Sequence, residues 1–355
     1  MNSQTKVAVV GASGYAGEDL VRLLLTHPHA ELTSVTSRQY AGKTVAQIFP
    51  KFSHLPKARS LRFVEPNAEL LAKQAEVVFL ALPHGVAAEF AVPLIQQGAR
   101  VIDLSADFRL KSPTVYEEFY AQPHPAPDLL NRSVYGLAEV YRSAIQQAVL
   151  IACPGCYPTS ILLPMLPLLR AGLVDPDQVI ANSLSGVTGA GRKLEVDYLF
   201  AECNESLRPY GVPKHRHLSE IEQELSSAAG RSVRMQFTPH LVPVNRGILT
   251  TLCLTPTTAF LDNPAAMEAF DRQVAHAYQT AYGDSIFVRL LEGKALPDSK
   301  NVVGTNFIEI AWRLDVRTGR LIVMSAIDNI VKGTSGQAIQ CFNIATDRPE
   351  TAGLI

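Results

Sequence analysis

The chain has 355 residues, 47% of them hydrophobic, and a formal net charge of -1 at neutral pH. That length accommodates about two domains of roughly 150 residues each and can bury a full core without metals or cross-links. The nearly cancelling charge leaves no electrostatic footprint for nucleic acid or an anionic membrane surface, and the apolar content is too high for a disordered chain.

In chain order, a short β-branched run at residues 6–10 enters a glycine-rich turn, and a helical pattern follows at 18–26. Further strands are expected at 31–36, 77–82, 100–104 and 148–152, with a helix at 86–97. Strands alternating with helices predict a parallel sheet with right-handed crossovers. The pattern then changes. Strands are expected at 178–185, 233–238, 247–255, 307–315 and 320–326, the last two joined as a hairpin across Val316-Arg317-Thr318-Gly319, with one long helix at 265–282. This half reads as a mostly antiparallel sheet, and the helical tail at 333–344 is expected to return to the first domain. The fold class expected is therefore α/β: a parallel-sheet domain over 1–153 and 330–355, and an α+β domain with a mostly antiparallel sheet over 154–329.

There are five cysteines, Cys153, Cys156, Cys203, Cys253 and Cys341. An odd, sparse set forms no disulfide framework, and the N-terminal residues show no secretory leader, so a cytoplasmic location is expected. The most apolar run, 161–169, is short and interrupted by Pro164 and Pro167, so no membrane span is expected.

Gly11, Gly14 and Gly17 follow G-x-x-G-x-x-G between a strand and a helix, with Ser13, Tyr15 and Ala16 among them. Glycine lets the backbone approach a pyrophosphate, and the helix behind it offers N–H groups and positive dipole. At the end of the second strand, an enzyme using NAD places an acid on the ribose 2′-hydroxyl. Here Ser37 and Arg38 stand instead, a pair suited to a 2′-phosphate, so NADPH/NADP is the expected cofactor. Pro83 and Ser105 are also expected to contact the cofactor, and His84, which follows a strand and Leu82-Pro83, is a further candidate.

Cys156 lies in Ala152-Cys153-Pro154-Gly155-Cys156-Tyr157-Pro158-Thr159, after a strand and before an apolar helix. Pro158 fits an early helical position, which places Cys156 at or next to the N-cap, where dipole and N–H groups favour the thiolate. Cys153 falls inside the strand end as a structural thiol. No second cysteine pair completes a zinc site, so no metal is expected. A cysteine nucleophile needs a proton partner, and the densest candidate is Lys214-His215-Arg216-His217, ahead of a helix expected near Ser219. Alternation there predicts that a single histidine faces Cys156. The basic patch also suits an anionic substrate.

Taken together, these motifs resemble the N-acetyl-gamma-glutamyl-phosphate reductases nearly end to end. The resemblance is most specific in Asp103-Leu104-Ser105-Ala106-Asp107-Phe108-Arg109 and in Pro154-Gly155-Cys156-Tyr157-Pro158-Thr159. It continues through Ser185-Gly186-Val187-Thr188-Gly189-Ala190-Gly191-Arg192, His215-Arg216-His217, and Asp328-Asn329 with Lys332-Gly333. It implies that the first domain is a Rossmann NADP-binding domain and the second a catalytic and oligomerisation domain like that of glyceraldehyde-3-phosphate dehydrogenase, and it implies reduction of an acyl phosphate, N-acetyl-L-glutamyl 5-phosphate, to the semialdehyde with NADPH. It also implies Cys156 as nucleophile and His217 as acid/base, with Asn329 near the nicotinamide. Arg109, Ser185 and His215 would handle substrate, and the assembly would be a homo-oligomer, dimer or tetramer. The chain departs from the family's usual Asn at Cys153 and from its usual Pro at Ala138 and Ser219, positions that leave the reaction type untouched.

Overall fold

The β-branched run 6–10 lies within β1 (Thr5–Val10), an inner strand of a seven-stranded parallel sheet in a computed structural model that describes residues 4–192, 194–260 and 263–355. Residues 1–3, part of the stretch read for a leader, lie outside the described residues. Two compact units divide the chain: residues 1–155 with 334–355, and residues 156–333.

In the first unit, β1 is joined by β2 (Ala30–Thr36), β3 (Phe63–Val64), β4 (Val77–Leu80), β5 (Arg100–Asp103), β6 (Ser133–Tyr135) and β7 (Leu150–Ala152). Their order is β3-β2-β1-β4-β5-β7-β6, and every pairing is parallel. Because β2 and β4 flank β1, the order reverses beside β1, and such a switch point opens a crevice at the carboxyl ends of the strands. Both faces are covered, as a parallel sheet requires. Val7 and Val9 pack on one side with Leu20 and Phe342, whereas Ala8, Val10 and Val78 pack on the other with Ala91 and Leu94. The tail helix Gly336–Ala345 belongs to this unit and is buried along its whole length, with Phe342 against Phe79 at 5.9 Å.

The second unit holds β8 (Val174–Gly186), β9 (Arg208–Pro209), β10 (Met235–Val242), β11 (Ile248–Pro256), β12 (Val288–Leu290), β13 (Ile308–Asp315) and β14 (Arg320–Ile327). The order is β12-β13-β14-β11-β8-β10-β9. The pairs β8–β10 and β12–β13 are parallel and the others antiparallel, so the sheet is mixed with antiparallel pairing in the majority. The hairpin expected at 316–319 closes β13 onto β14, with Gly319 N–H donating to the Asp315 carbonyl and Gly319 at φ +64°.

One expectation is corrected here. The apolar run is not broken at its prolines: the helix Cys156–Arg170 is continuous through Pro164 and Pro167. A proline removes the N–H that would bond the carbonyl four residues earlier, which orphans the Ser160 and Leu163 carbonyls. Both are taken by hydroxyls from elsewhere in the unit: Ser325 Oγ donates to the Ser160 carbonyl at 2.6 Å, and Tyr282 Oη to the Leu163 carbonyl at 2.6 Å. Beneath the helix, Thr250 Oγ1 bridges Ser160 Oγ (2.8 Å) and Ser183 Oγ (2.7 Å), so buried hydroxyls from three adjacent strands seat the helix. No helix among the described residues is long and apolar enough to cross a membrane.

Candidate active site

Cys156 is the first residue of its helix, with Pro158 in the first turn, as the spacing of the Pro-Gly-Cys-Tyr-Pro string suggests. It is partly exposed, whereas Cys153 is 1% exposed, with its N–H on the Asp103 carbonyl at 2.8 Å. Cys156 opens onto a cavity of about 280 Å³ whose walls include Ser185, His215 and His217. Asp328 prepares the approach. Its buried carboxylate accepts from the N–H groups of Ile330 (2.7 Å) and Val331 (2.9 Å), and its carbonyl accepts from Gly333 N–H (2.9 Å), so the turn carries Gly333 against Cys156.

The histidines do not alternate as expected. Arg216 has helical φ/ψ and the helix begins at His217, two residues before Ser219, whose Oγ instead donates back to the Arg216 carbonyl at 2.8 Å. In that bend His217 N–H donates to His215 Nδ1 at 3.1 Å and the two rings lie 4.9 Å apart, so both reach the cavity. His217 is 8% exposed. Burial, then the adjoining Arg216 guanidinium, push the His215 imidazole down to about 4, so it is neutral at physiological pH.

Sequence reasoning missed part of the wall. Tyr157 and Tyr210 share a hydrogen bond between hydroxyls at 2.8 Å beside Cys156, and burial holds both phenols above their ordinary range. Ser185, 2% exposed, lies within bonding reach of Tyr157 and donates to the Gly186 carbonyl. Arg208, which pairs with Asp197 at 3.9 Å, joins Lys214 and Arg216 on the wall, so cations outnumber the one carboxylate there and the cavity is basic on balance. A tyrosine five residues before His215 and an arginine on a two-residue strand carry no periodic signal. Asn329, 1% exposed, accepts from Gly247 N–H (2.8 Å) and donates to Thr188 Oγ1 (3.0 Å), which braces the 185–191 loop.

The remaining candidates lie in the first unit. Gly14 is the N-cap of the helix Tyr15–Leu25, and no side chain caps that end, which leaves space for an anion. A Cβ on Gly11 would strike the Ala81 carbonyl, and one on Gly17 the Gly11 carbonyl, so the close approach of turn, strand and helix requires glycine at both. Ser13, Tyr15 and Ala16 line this partly exposed turn. Ser13 Oγ meets Ser37 Oγ at 3.1 Å, which joins the turn to the end of β2, and Arg38 follows in an exposed position. These features fit a dinucleotide. Pro83 is exposed on the turn after β4. Ser105 is 5% exposed and engaged internally, donating to Asp103 Oδ2 (2.8 Å) and accepting from Asp107 N–H (3.1 Å). Arg109 is 7% exposed and donates to the Leu104 carbonyl at 2.9 Å.

A parallel nucleotide-binding unit joined to a mixed-sheet unit that opens on a helix-borne cysteine defines a dehydrogenase of the semialdehyde type. The descriptions that match are "Semialdehyde dehydrogenase, NAD binding domain" over residues 6–148 and "Semialdehyde dehydrogenase, dimerisation domain" over 156–329. Aspartate semialdehyde dehydrogenase II from Vibrio cholerae shares the fold at TM-score 0.70 and 16% identity, covering 97% of this chain and 99% of that one. Sequence relatives are more specific. An N-acetyl-gamma-glutamyl-phosphate reductase from Akkermansia muciniphila is 54% identical over 99% of both chains, and one from Desulfotalea psychrophila is 47% identical over 98% of this chain and 97% of its own. The chain belongs to the N-acetyl-gamma-glutamyl-phosphate reductase family and is an oxidoreductase.

Proposed function

We propose that the chain reduces N-acetyl-L-glutamyl 5-phosphate to N-acetyl-L-glutamate 5-semialdehyde with NADPH, through a thioester on Cys156, as a cytoplasmic step of arginine biosynthesis. The observation that carries this reading is the grouping of Cys156, His215, His217 and Ser185 with Arg208, Lys214 and Arg216 around one cavity.

The start of the helix favours the Cys156 thiolate, and His217 takes the thiol proton. The sulfur attacks the acyl-phosphate carbonyl carbon. A C–S bond forms, and the C–O bond to phosphate breaks as inorganic phosphate leaves. Backbone N–H groups at the helix start hold the oxyanion, a preorganised arrangement that typically outweighs other single contributions. The cationic wall offsets the charge of substrate and leaving phosphate, and Arg109 and Ser185 remain proposed substrate contacts. The chain's residues at 11–17 and 37–38, with Pro83, Ser105 and Asn329, would hold NADPH, which supplies the hydride that reduces the thioester carbon. His217 returns the proton to the oxygen formed on reduction and recovers it as the C–S bond breaks and the aldehyde departs. His215 stays neutral and anchors the His217 backbone.

The assembly we propose is a homo-oligomer built on the second unit. One face of its sheet carries the helices, while the other leaves Ile180 39% exposed beside half-buried Leu184, Leu249 and Met324, an area a second copy would cover.

The reverse assay tests the function: semialdehyde, phosphate and NADP should yield NADPH, with aspartate semialdehyde a poor substitute. Cys156→Ser should abolish turnover while NADPH binding persists, and His217→Asn should cost about 10²–10⁴-fold, the usual weight of one acid/base group. Turnover retained by the serine variant would refute the thioester route.

A further inference from the structure

We propose that Asp107 is a positioning residue that sets the turn receiving the nicotinamide half of the dinucleotide, an inference that rests on the dinucleotide-binding part of the reading above. Asp107 is fully buried, as is the Tyr116 ring beside it. Its Oδ1 accepts from Gly85 N–H at 2.6 Å and from Tyr116 Oη at 3.0 Å, and its Oδ2 accepts from Ala88 N–H at 3.3 Å. The helix Ala87–Gln96 has no capping side chain of its own. A carboxylate from beyond the next strand does that work, and charge-assisted bonds to N–H groups at a helix start are among the stronger ones.

The clasp is itself held. Gln122 Nε2 donates to Tyr116 Oη at 3.3 Å, Asp107 N–H donates to Ser105 Oγ at 3.1 Å, and His124 Nε2 meets the Asp107 carbonyl. The helix Pro113–Tyr120 contributes twice. Tyr116 bonds the carboxylate, and Tyr120, stacked on Tyr116 at 4.7 Å, carries the His84 ring at 5.3 Å. The turn between β4 and the helix is thus gripped at the Gly85 backbone and at the His84 side chain. Gly85 has φ +82°, the left-handed region, which lets its N–H point back at Asp107.

This turn sits where the cofactor crevice must open. β4 pairs with β1 at the point where strand order reverses, and the Ala81 carbonyl packs directly on Gly11 of the glycine-rich turn. In a doubly wound sheet the half built from β1 and β2 takes one mononucleotide and the half beginning with β4 takes the other. Ser37 and Arg38 claim the adenosine end for the first half, which leaves the nicotinamide end to the turn that Asp107 holds.

The test measures binding of NADPH and of adenosine 2′,5′-bisphosphate to the full chain, calorimetrically and without substrate. Asp107→Asn turns a donor toward either Gly85 or Ala88, and it should weaken NADPH about tenfold, the scale of one bond to a charged group, while the bisphosphate binds within about twofold of wild type. Tyr116→Phe removes one donor from the same carboxylate and should weaken NADPH about threefold with the same selectivity. In the reverse reaction the KM for NADP should rise and the KM for semialdehyde should stay. If Asp107→Asn does not fold, the Tyr116→Phe result decides. NADPH affinity unchanged in the folded variants, or equal loss of both ligands, would overturn the proposal. A wild-type chain that binds neither ligand would instead refute the dinucleotide reading, and this inference with it.

Discussion

Gly333 abuts Cys156 so closely that a Cβ built on it would lie 2.7 Å from Cys156 Cβ and 3.0 Å from Cys156 Cα. Neither of those atoms can give way, because one belongs to the helix backbone and the other fixes the direction of the sulfur. Gly333→Ala should therefore displace the Cys156 sulfur, the proposed nucleophile, while the glycine-rich turn of the other unit is unaltered. The expected outcome is a loss of kcat on the order of 10²-fold, the scale of a misplacement of about 1 Å, with NADPH affinity retained. A variant that keeps wild-type kcat would show that the close contact does not set the sulfur's position.

His215 should leave a signature in acid stability. Its pKa is about 4 in the folded chain against an ordinary 6.5, so between those values the unfolded chain takes up a proton that the folded chain refuses. Stability from this residue is complete above pH 6.5 and falls as pH drops toward 4, by at most about 1.4 kcal/mol per pH unit. Asp103 acts in the opposite sense. Burial, then the Asp107 carboxylate, push it up to about 7, so its contribution improves as pH falls from 7 to its ordinary 3.8. The two slopes offset one another in the wild type. His215→Asn keeps an acceptor for His217 N–H and removes one slope, so the stability difference between wild type and variant, followed by denaturant melts from pH 7 to 4, should shift steadily toward the variant. A pH-independent difference would mean that His215 titrates alike folded and unfolded.

Arg38 should decide between the two nicotinamide cofactors. It is exposed at the end of β2, next to Ser37, whose hydroxyl meets Ser13 of the glycine-rich turn. An exposed guanidinium adds little to fold stability, so a substitution there reports on the ligand. Arg38→Ala should weaken NADPH about 10–100-fold, the worth of charged bonds to a phosphate, and leave NADH binding unchanged. Parallel loss of both cofactors would remove the 2′-phosphate role.

Long periodic elements and local chemistry were legible in the sequence: β1 with its turn, the hairpin of β13 and β14, the helix ending at Tyr282, the cysteine at a helix start. What failed to show was set by distant partners or by very short elements. β3 and β9 have two residues each, too few for alternation to register, and β9 carries the Arg208 that reaches the cavity. The two histidines share a side because a helix begins at His217, where the residues alone suggested an extended segment and a start near Ser219. Pro164 and Pro167 signal interruption by every local rule, and only residues more than a hundred positions away along the sequence cancel that signal.

Those distant residues give the last prediction. Ser325 Oγ and Tyr282 Oη occupy the two carbonyls that the prolines strip of their helical partners, in a buried setting that water cannot serve. Ser325→Ala and Tyr282→Phe each leave one buried carbonyl unsatisfied at nearly constant volume, which should cost about 1–3 kcal/mol apiece. The helix also carries Cys156 at its first residue, so the damage should reach activity through its ordering. Combining Ser325→Ala with Pro164→Ala restores an N–H at the position that bonds the Ser160 carbonyl and should recover most of the loss, as should Tyr282→Phe with Pro167→Ala for Leu163. Denaturant melts of the singles and the paired variants measure this directly. If the proline replacements give no more rescue on the hydroxyl-deleted backgrounds than they give the wild type, the hydroxyls are not what lets this helix run through its prolines.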